Sequence, residues 1–398
     1  MRIDEFDVVV IGAGFAGAVA ARKLAEESGK RVLVAEKRNT VAGNAYDYYN
    51  EDGILVHKYG PHIFHTDKDE VYDFLKRFGV LEPYELRVLS NIDGKFLPCP
   101  FNFTAVDTLN DPQRASILKE RLHKAYAGKE QITVLEMLYS KDNLIREFAE
   151  LLFEKDYRPY TMKQWGLTTE EVGADILERC KFYLSYEDRT NRNKYEFIPQ
   201  KGYTSLIRQM LTYPTICVES GMDADNYLDI RGKRLYWNNE ALQADVIYTG
   251  AIDGLFDWRY GELPYRSLHF EFRNIPQASF QEAPITVHPQ ENAYTRITEY
   301  TKLPVQEVGN RTCISLEYPV AYAREQEREE ELQPYYPIVT EQNKALYERY
   351  LELAKSVERL YLCGRLAEYR YYDMDAVVES AFEVCERVRR QDHMGCGK

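Results

Sequence analysis

The sequence predicts an α/β fold: a discontinuous Rossmann-like dinucleotide-binding domain, an inserted helical bundle and an antiparallel β-sheet domain. Three observations carry this. The apolar run Val8-Val9-Val10-Ile11 ends in a glycine-rich loop that opens a helix. Two more apolar runs, Val246 to Ala251 and Leu360 to Cys363, end in their own glycine turns late in the chain. Between them the pattern changes from helical spacing to short β-type runs broken by Gly, Pro and Asn.

The first loop, Gly12-Ala13-Gly14-Phe15-Ala16-Gly17, has GxGxxG spacing and precedes a helical stretch to about Ser28. One glycine makes the tight turn, one lets a pyrophosphate approach the backbone, and one lets the helix pack on the strand. Glu36 ends a second apolar run, Arg31 to Ala35, where an acid is placed to bond a ribose hydroxyl. Lys37 to Asp47, which includes Arg38, Gly43 and Asn44, is too polar and glycine-rich for a strand and is expected to pass over the diphosphate.

Further along, Gly60-Pro61 marks a sharp turn before His62, Ile63 and His65. No third ligand lies near the two histidines in sequence, so no metal is expected. Asp69 to Phe78 reads as a short amphipathic helix, and Arg87 to Phe96 as a hairpin turned at Asp93-Gly94. Thr104 to Arg158 is mostly helical, with Ile145, Phe148, Ala149, Leu152 and Phe153 at three- and four-residue intervals. Thr215 to Glu219, Arg234 to Trp237, Ser267 to Arg273, Ala293 to Tyr300 and Cys313 to Tyr318 are expected in the antiparallel sheet. The charge-dense run Arg324 to Glu331 reads as a solvated helix face.

The expected division is residues 1–85, 200–260 and 355–390 for the dinucleotide domain and 103–180 for the helical domain, with a mobile loop at 167–179. The sheet domain takes 86–102, 181–199 and 261–354, and a flexible tail takes 391–398. The third return, at Leu360 to Arg365 followed by a helix from Ala376 to Arg390, points to FAD, since NAD enzymes rarely need this last piece.

With 398 residues, 44% hydrophobic and 29% charged, the chain can bury a large core. No segment approaches a membrane span, and the acidic N-terminus is not a signal sequence, so a cytosolic protein is expected. Seven cysteines show neither a disulfide framework nor metal spacing. The net charge of −13 argues against nucleic acid as a partner. An anionic substrate then requires a local arginine cluster, and the 32 tyrosines suit wet pockets.

Five motifs taken together, Gly60-Pro61-His62-Ile63-Phe64-His65-Thr66, Tyr160-Thr161-Met162-Lys163-Gln164-Trp165, Tyr294-Thr295-Arg296-Ile297-Thr298-Glu299, Pro334-Tyr335-Tyr336-Pro337 and Tyr371-Tyr372-Asp373-Met374-Asp375, resemble bacterial UDP-galactopyranose mutases. The resemblance runs from the first loop to the final helix. It implies an enzyme active with reduced FAD, in which the flavin N5 takes the anomeric carbon as a covalent adduct and the sugar recloses as a furanose. It also implies a nucleotide-sugar substrate, NAD(P)H or another reductant, and a homodimer. Position by position, Arg179 corresponds to the loop arginine and Arg296 to the fixed one on the diphosphate. Tyr336 and Tyr371 correspond to the phosphate-binding tyrosines, Trp165 to the ring against the substrate, and Tyr160, with Thr161, to the base platform. His62 and His65 correspond to the pair beside flavin and sugar, and Gly364, Arg365, Asp373, Met374 and Asp375 to the flavin-side set.

The sequence departs from that family at Leu86, Asp156, Tyr157, Thr190 and around Thr286, positions expected to line the base and sugar pockets. UDP-N-acetylgalactosamine and dTDP-fucose therefore stand beside UDP-galactose as substrates. An amine-oxidase-type flavoenzyme and a non-catalytic escort protein of the Rab GDP-dissociation-inhibitor type share the dinucleotide cradle.

Overall fold

The structure is a computed structural model that describes residues 2–166, 180–291, 293–324 and 332–395. The expected loop 167–179 with Arg179, the charge run after Arg324 and Cys396 lie outside the described residues.

A parallel five-stranded sheet forms the dinucleotide half, in the order Ile216–Ser220, Val32–Glu36, Val8–Ile11, Asp245–Tyr248, Leu360–Leu362. The fully buried Val8–Ile11 strand lies at its centre because apolar residues must cover both faces of a parallel sheet. Helix Phe15–Ser28 follows it and packs against the C-terminal helix Met374–Gly395, closing the core of this half. The two late returns thus join the sheet where the sequence places them.

Three expectations are corrected. Thr215 to Glu219 does not enter the antiparallel sheet: its strand, Ile216–Ser220, is the edge of the parallel one, paired with Val32–Glu36. A short half-buried edge strand carries too few apolar residues to declare its sheet. Arg234–Trp237 belongs to a separate three-stranded meander, with Asn238 and Asn239 both at positive φ in its turn. The final helix continues to Gly395, past Arg390 and into the expected tail.

The second sheet has seven strands in the order Tyr336–Pro337, Tyr265–Ile275, Thr312–Ala321, Arg296–Glu299, Ile285–Val287, Val88–Ile92, Lys95–Cys99. All neighbours are antiparallel except Ile285–Val287 and Val88–Ile92. The hairpin turns at Asp93 and Gly94, both at positive φ. Register puts Ser90, Val287, Arg296 and Glu317 in one row across four strands, hence on one face. Helices Phe103–Leu109, Pro112–Ala125, Val134–Leu138 and Asn143–Leu152 pack around their own apolar core. A π-turn, Phe153–Tyr157, then leads into helix Arg158–Trp165.

Candidate active site

The glycine loop forms one wall of a long cavity. Gly12 sits at φ +101°, a backbone state open to glycine, and a Cβ there would strike the Thr249 hydroxyl. A Cβ on Gly17 would lie 1.9 Å from the Gly12 carbonyl oxygen, so this glycine serves helix–strand packing. Gly14 is different: a Cβ there would meet nothing nearer than the Gly43 Cα at 3.8 Å. The space over it is open, and the first turn of helix Phe15–Ser28 has no side-chain cap. That is an anion cradle of backbone N–H groups.

Glu36, 5% exposed, is braced by both carboxylate oxygens. Oε2 accepts from the Ala13 N–H at 2.8 Å and Oε1 from the Arg38 N–H at 2.9 Å. Arg38 donates through Nη2 to Asn44 Oδ1 and Gln333 Oε1 at 3.0 and 3.1 Å, while its buried Nη1 has no hydrogen-bond partner among the described residues. A buried guanidinium nitrogen left unsatisfied beside an uncapped helix start fits a diphosphate. Gly12, Gly14, Phe15, Ala16, Glu36, Lys37, Arg38, Gly43, Asn44, His62, Gly364, Arg365 and Met374 all line this cavity. Gly17, Ile63, His65, Asp373 and Asp375 do not: His65 Nε2 faces Asp373 Oδ2 at 4.0 Å, and Asp375 accepts from the Ala376 N–H in the first turn of its helix. Sequence reading missed Trp258 and Gln333 on the wall, which belong to no short motif, and gave no role to Thr249 and Tyr335, which lie inside runs it singled out.

At the far end His62 is held by its neighbours. Its backbone N–H donates to His57 Nδ1 at 3.0 Å, and its own Nδ1 lies 2.7 Å from the Gly60 carbonyl oxygen. A carbonyl only accepts, so Nδ1 carries the hydrogen and Nε2 presents a lone pair. Burial, then His57, Arg365 and Arg296 push His62 down to about 3, so the ring is neutral near pH 7. The same interactions show that His62, Arg296 and Arg365 share one electrostatic neighbourhood.

Beside His62 stands a ring-lined cluster. Tyr336 and Tyr371 have centroids 5.3 Å apart, and Trp165 lies 6.1 and 5.8 Å from them. The Arg365 guanidinium sits over both tyrosines, at 5.5 and 5.4 Å, and donates to the Tyr372 carbonyl at 2.8 Å. Tyr160 is coupled to Arg296, Tyr336 and Tyr371, and burial raises its phenol. Thr161, the next residue of the same helix, is buried. Arg296 pairs with the buried Glu317, its Nη2 and Nε at 2.6 and 2.7 Å from Oε2. Burial penalises this guanidinium charge, but Glu317 outweighs it and keeps Arg296 cationic.

The family model of UDP-galactopyranose mutases matches residues 155–371, and that of an NAD(P)-binding Rossmann-like domain matches residues 10–78. A UDP-galactopyranose mutase from Mycoplasma pneumoniae is 34% identical over 389 residues, 97% of this chain and 96% of that protein. The chain belongs to the UDP-galactopyranose mutase family. It is accordingly an isomerase with FAD as its cofactor, and the cradle, the orphaned Arg38 Nη1 and the braced Glu36 fit that group. A dTDP-fucopyranose mutase from Escherichia coli is 31% identical over 381 residues, covering 95% of this chain and 97% of that one. The crystal structure of a reduced UDP-galactopyranose mutase shares the fold, with a TM-score of 0.67 at 19% identity over 97% of this chain and 96% of that one.

Of the departures from the family pattern, Asp156 lies near the site: it is buried and accepts from the hydroxyl of Ser90, which stands in the row of Arg296. Tyr157 donates to the Lys181 carbonyl at 3.2 Å, and Thr190 Oγ1 to the Cys99 carbonyl at 3.0 Å. Leu86 is buried in the core of the dinucleotide half. Thr286 is corrected: it registers with Ile297, so it points away from the face that presents Arg296. Among the described residues no helix is long and apolar enough to cross a membrane.

Proposed function

We infer that the chain interconverts UDP-galactopyranose and UDP-galactofuranose. The observation that carries this reading is the placement of a half-buried, carboxylate-anchored Arg296 and a Trp165–Tyr336–Tyr371 wall beside the His62 end of the FAD cavity. An amine oxidase has no diphosphate to bind and so no use for a fixed cation at that position. Reduced FAD supplies the nucleophile for the anomeric carbon when bound.

The chain's own residues do the rest. Glu317 holds Nε and Nη2 of Arg296, leaving Nη1 to meet a phosphate oxygen, so charge on the departing diphosphate is met by a preorganised donor. The Tyr336 and Tyr371 hydroxyls are offered to the same phosphates, and burial keeps the Tyr336 phenol protonated. Tyr160 gives the base a flat ring to stack on, and Trp165 excludes water from the sugar. His62, neutral with its Nε2 lone pair exposed to the cavity, accepts a hydrogen bond from FAD or sugar.

A second reading, dTDP-fucose as substrate, is favoured by the likeness to the Escherichia coli protein and by Asp156 and Tyr157 just before the Tyr160 helix. Comparing kcat/KM of the dithionite-reduced protein on UDP-galactose, UDP-N-acetylgalactosamine and dTDP-fucose in pyranose–furanose exchange decides between them. The highest value with UDP-galactose supports the first reading; a higher value with either competitor replaces the sugar and keeps the reaction.

A further inference from the structure

Helix Arg158–Trp165 carries Tyr160 and Trp165, yet only Thr161 and Gln164 of its eight residues are buried. It ends a helical run that begins at Asn143 and passes through the π-turn, and its own apolar packing does little to fix that end. Two cations do so instead, both acting on backbone carbonyls.

Lys163 reaches out of the helix. Its ammonium donates to the carbonyls of His288, Glu291 and Tyr294 at 2.8, 2.6 and 2.7 Å. All three acceptors belong to the turn that leads into the strand of Arg296, and they use all three ammonium hydrogens. Arg266, 9% exposed on the Tyr265–Ile275 strand, reaches in. Its Nε donates to the Gln164 carbonyl at 3.0 Å and its Nη2 to the Lys163 carbonyl at 3.2 Å. These are last-turn carbonyls with no intrahelical N–H to meet them among the described residues, at the negative end of the helix dipole. Gly166, at φ +66°, ends the helix, and a Cβ there would lie 2.9 Å from Arg266 Nη1. The guanidinium fills the space a side chain would take.

We propose that Lys163 and Arg266 are positioning residues that lock the Tyr160–Trp165 helix between the turn leading to Arg296 and the Tyr265–Ile275 strand of the same sheet, so that ring wall and cation hold one spacing around the substrate's diphosphate. With its hydrogens committed, Lys163 acts through Arg296 and Trp165 rather than on substrate. The role assigned to that spacing rests on the mutase reading above; the lock itself does not.

The test uses full-length, FAD-loaded Lys163→Met and Arg266→Met. Amide hydrogen exchange of peptides spanning 158–166 and 288–296 reads the lock without substrate. Lys163→Met should speed exchange about tenfold in both segments, and Arg266→Met in 158–166. UDP affinity by calorimetry should fall about tenfold in each, and the double variant should be no worse than the weaker single one, because either change releases the same helix. The flavin absorbance spectrum should be unchanged in every variant. Lys163→Gln, which keeps two donors, should restore part of the protection and serves if the methionine variant does not fold. Exchange rising in 158–166 alone on Lys163→Met, or additive losses of UDP affinity, overturns the lock. Wild-type protein that binds no UDP contradicts the mutase reading, while the exchange data still decide the lock.

Discussion

Arg296 and Glu317 face each other in register on adjacent antiparallel strands, and Glu317, its side chain 2% exposed, holds the guanidinium with one carboxylate oxygen. This pair makes a functional cation also a structural one. Arg296→Ala leaves a buried carboxylate without its partner, so it should lower stability by about 3 kcal/mol in chemical denaturation as well as abolish turnover. Glu317→Gln keeps the shape and should raise the KM for nucleotide sugar more than it alters stability. Equal denaturation midpoints for wild type and Arg296→Ala would contradict the buried pair.

The glycine loop separates packing from binding. Gly14→Ala has room in the protein itself, so its thermal midpoint should stay close to wild type while FAD affinity, read by flavin fluorescence, falls by at least about tenfold. Gly17→Ala drives a methyl into the Gly12 carbonyl and should yield little folded protein. Wild-type FAD affinity in Gly14→Ala would show that no diphosphate lies over that backbone.

Asp156 gives a pH signature. Burial pushes its carboxyl up to about 6, and the Ser90 hydrogen bond only partly offsets this; Tyr157, Cys99 and Cys180 are titratable groups that face it. Between the ordinary carboxyl value and about 6 the folded state binds more protons than the unfolded one. Stability from this group therefore falls as pH rises through that window and stays lost above it. Asp156→Asn should flatten the window and be more stable at pH 7 by roughly 2–3 kcal/mol, measured as urea unfolding against pH. A wild-type-like profile in that variant would refute the buried charge.

The dinucleotide half was legible because its signals are local: a strand, a glycine loop and a helix start occupy adjacent residues, and two later apolar runs end in glycine turns. Ile216–Ser220 was not, since an edge strand with half-buried residues looks alike in either sheet. Trp165, Tyr336, Tyr371 and Arg296 are far apart in sequence, and only the family pattern joined them. Glu317 was invisible, because its pairing depends on register between strands rather than on a motif. A shift of one residue hid the orientation of Thr286, as strand side chains alternate faces. Lys163 and Arg266 work through backbone carbonyls, which leave no trace in the identity of their partners.

The most direct measurement follows UDP-galactofuranose by chromatography with FAD-loaded protein, in matched samples reduced with dithionite or left oxidised. Conversion to UDP-galactopyranose is expected in the reduced sample and none in the oxidised one. No conversion of this or any other nucleotide sugar by the reduced protein, or hydrogen peroxide release with an amine, would contradict the mutase reading.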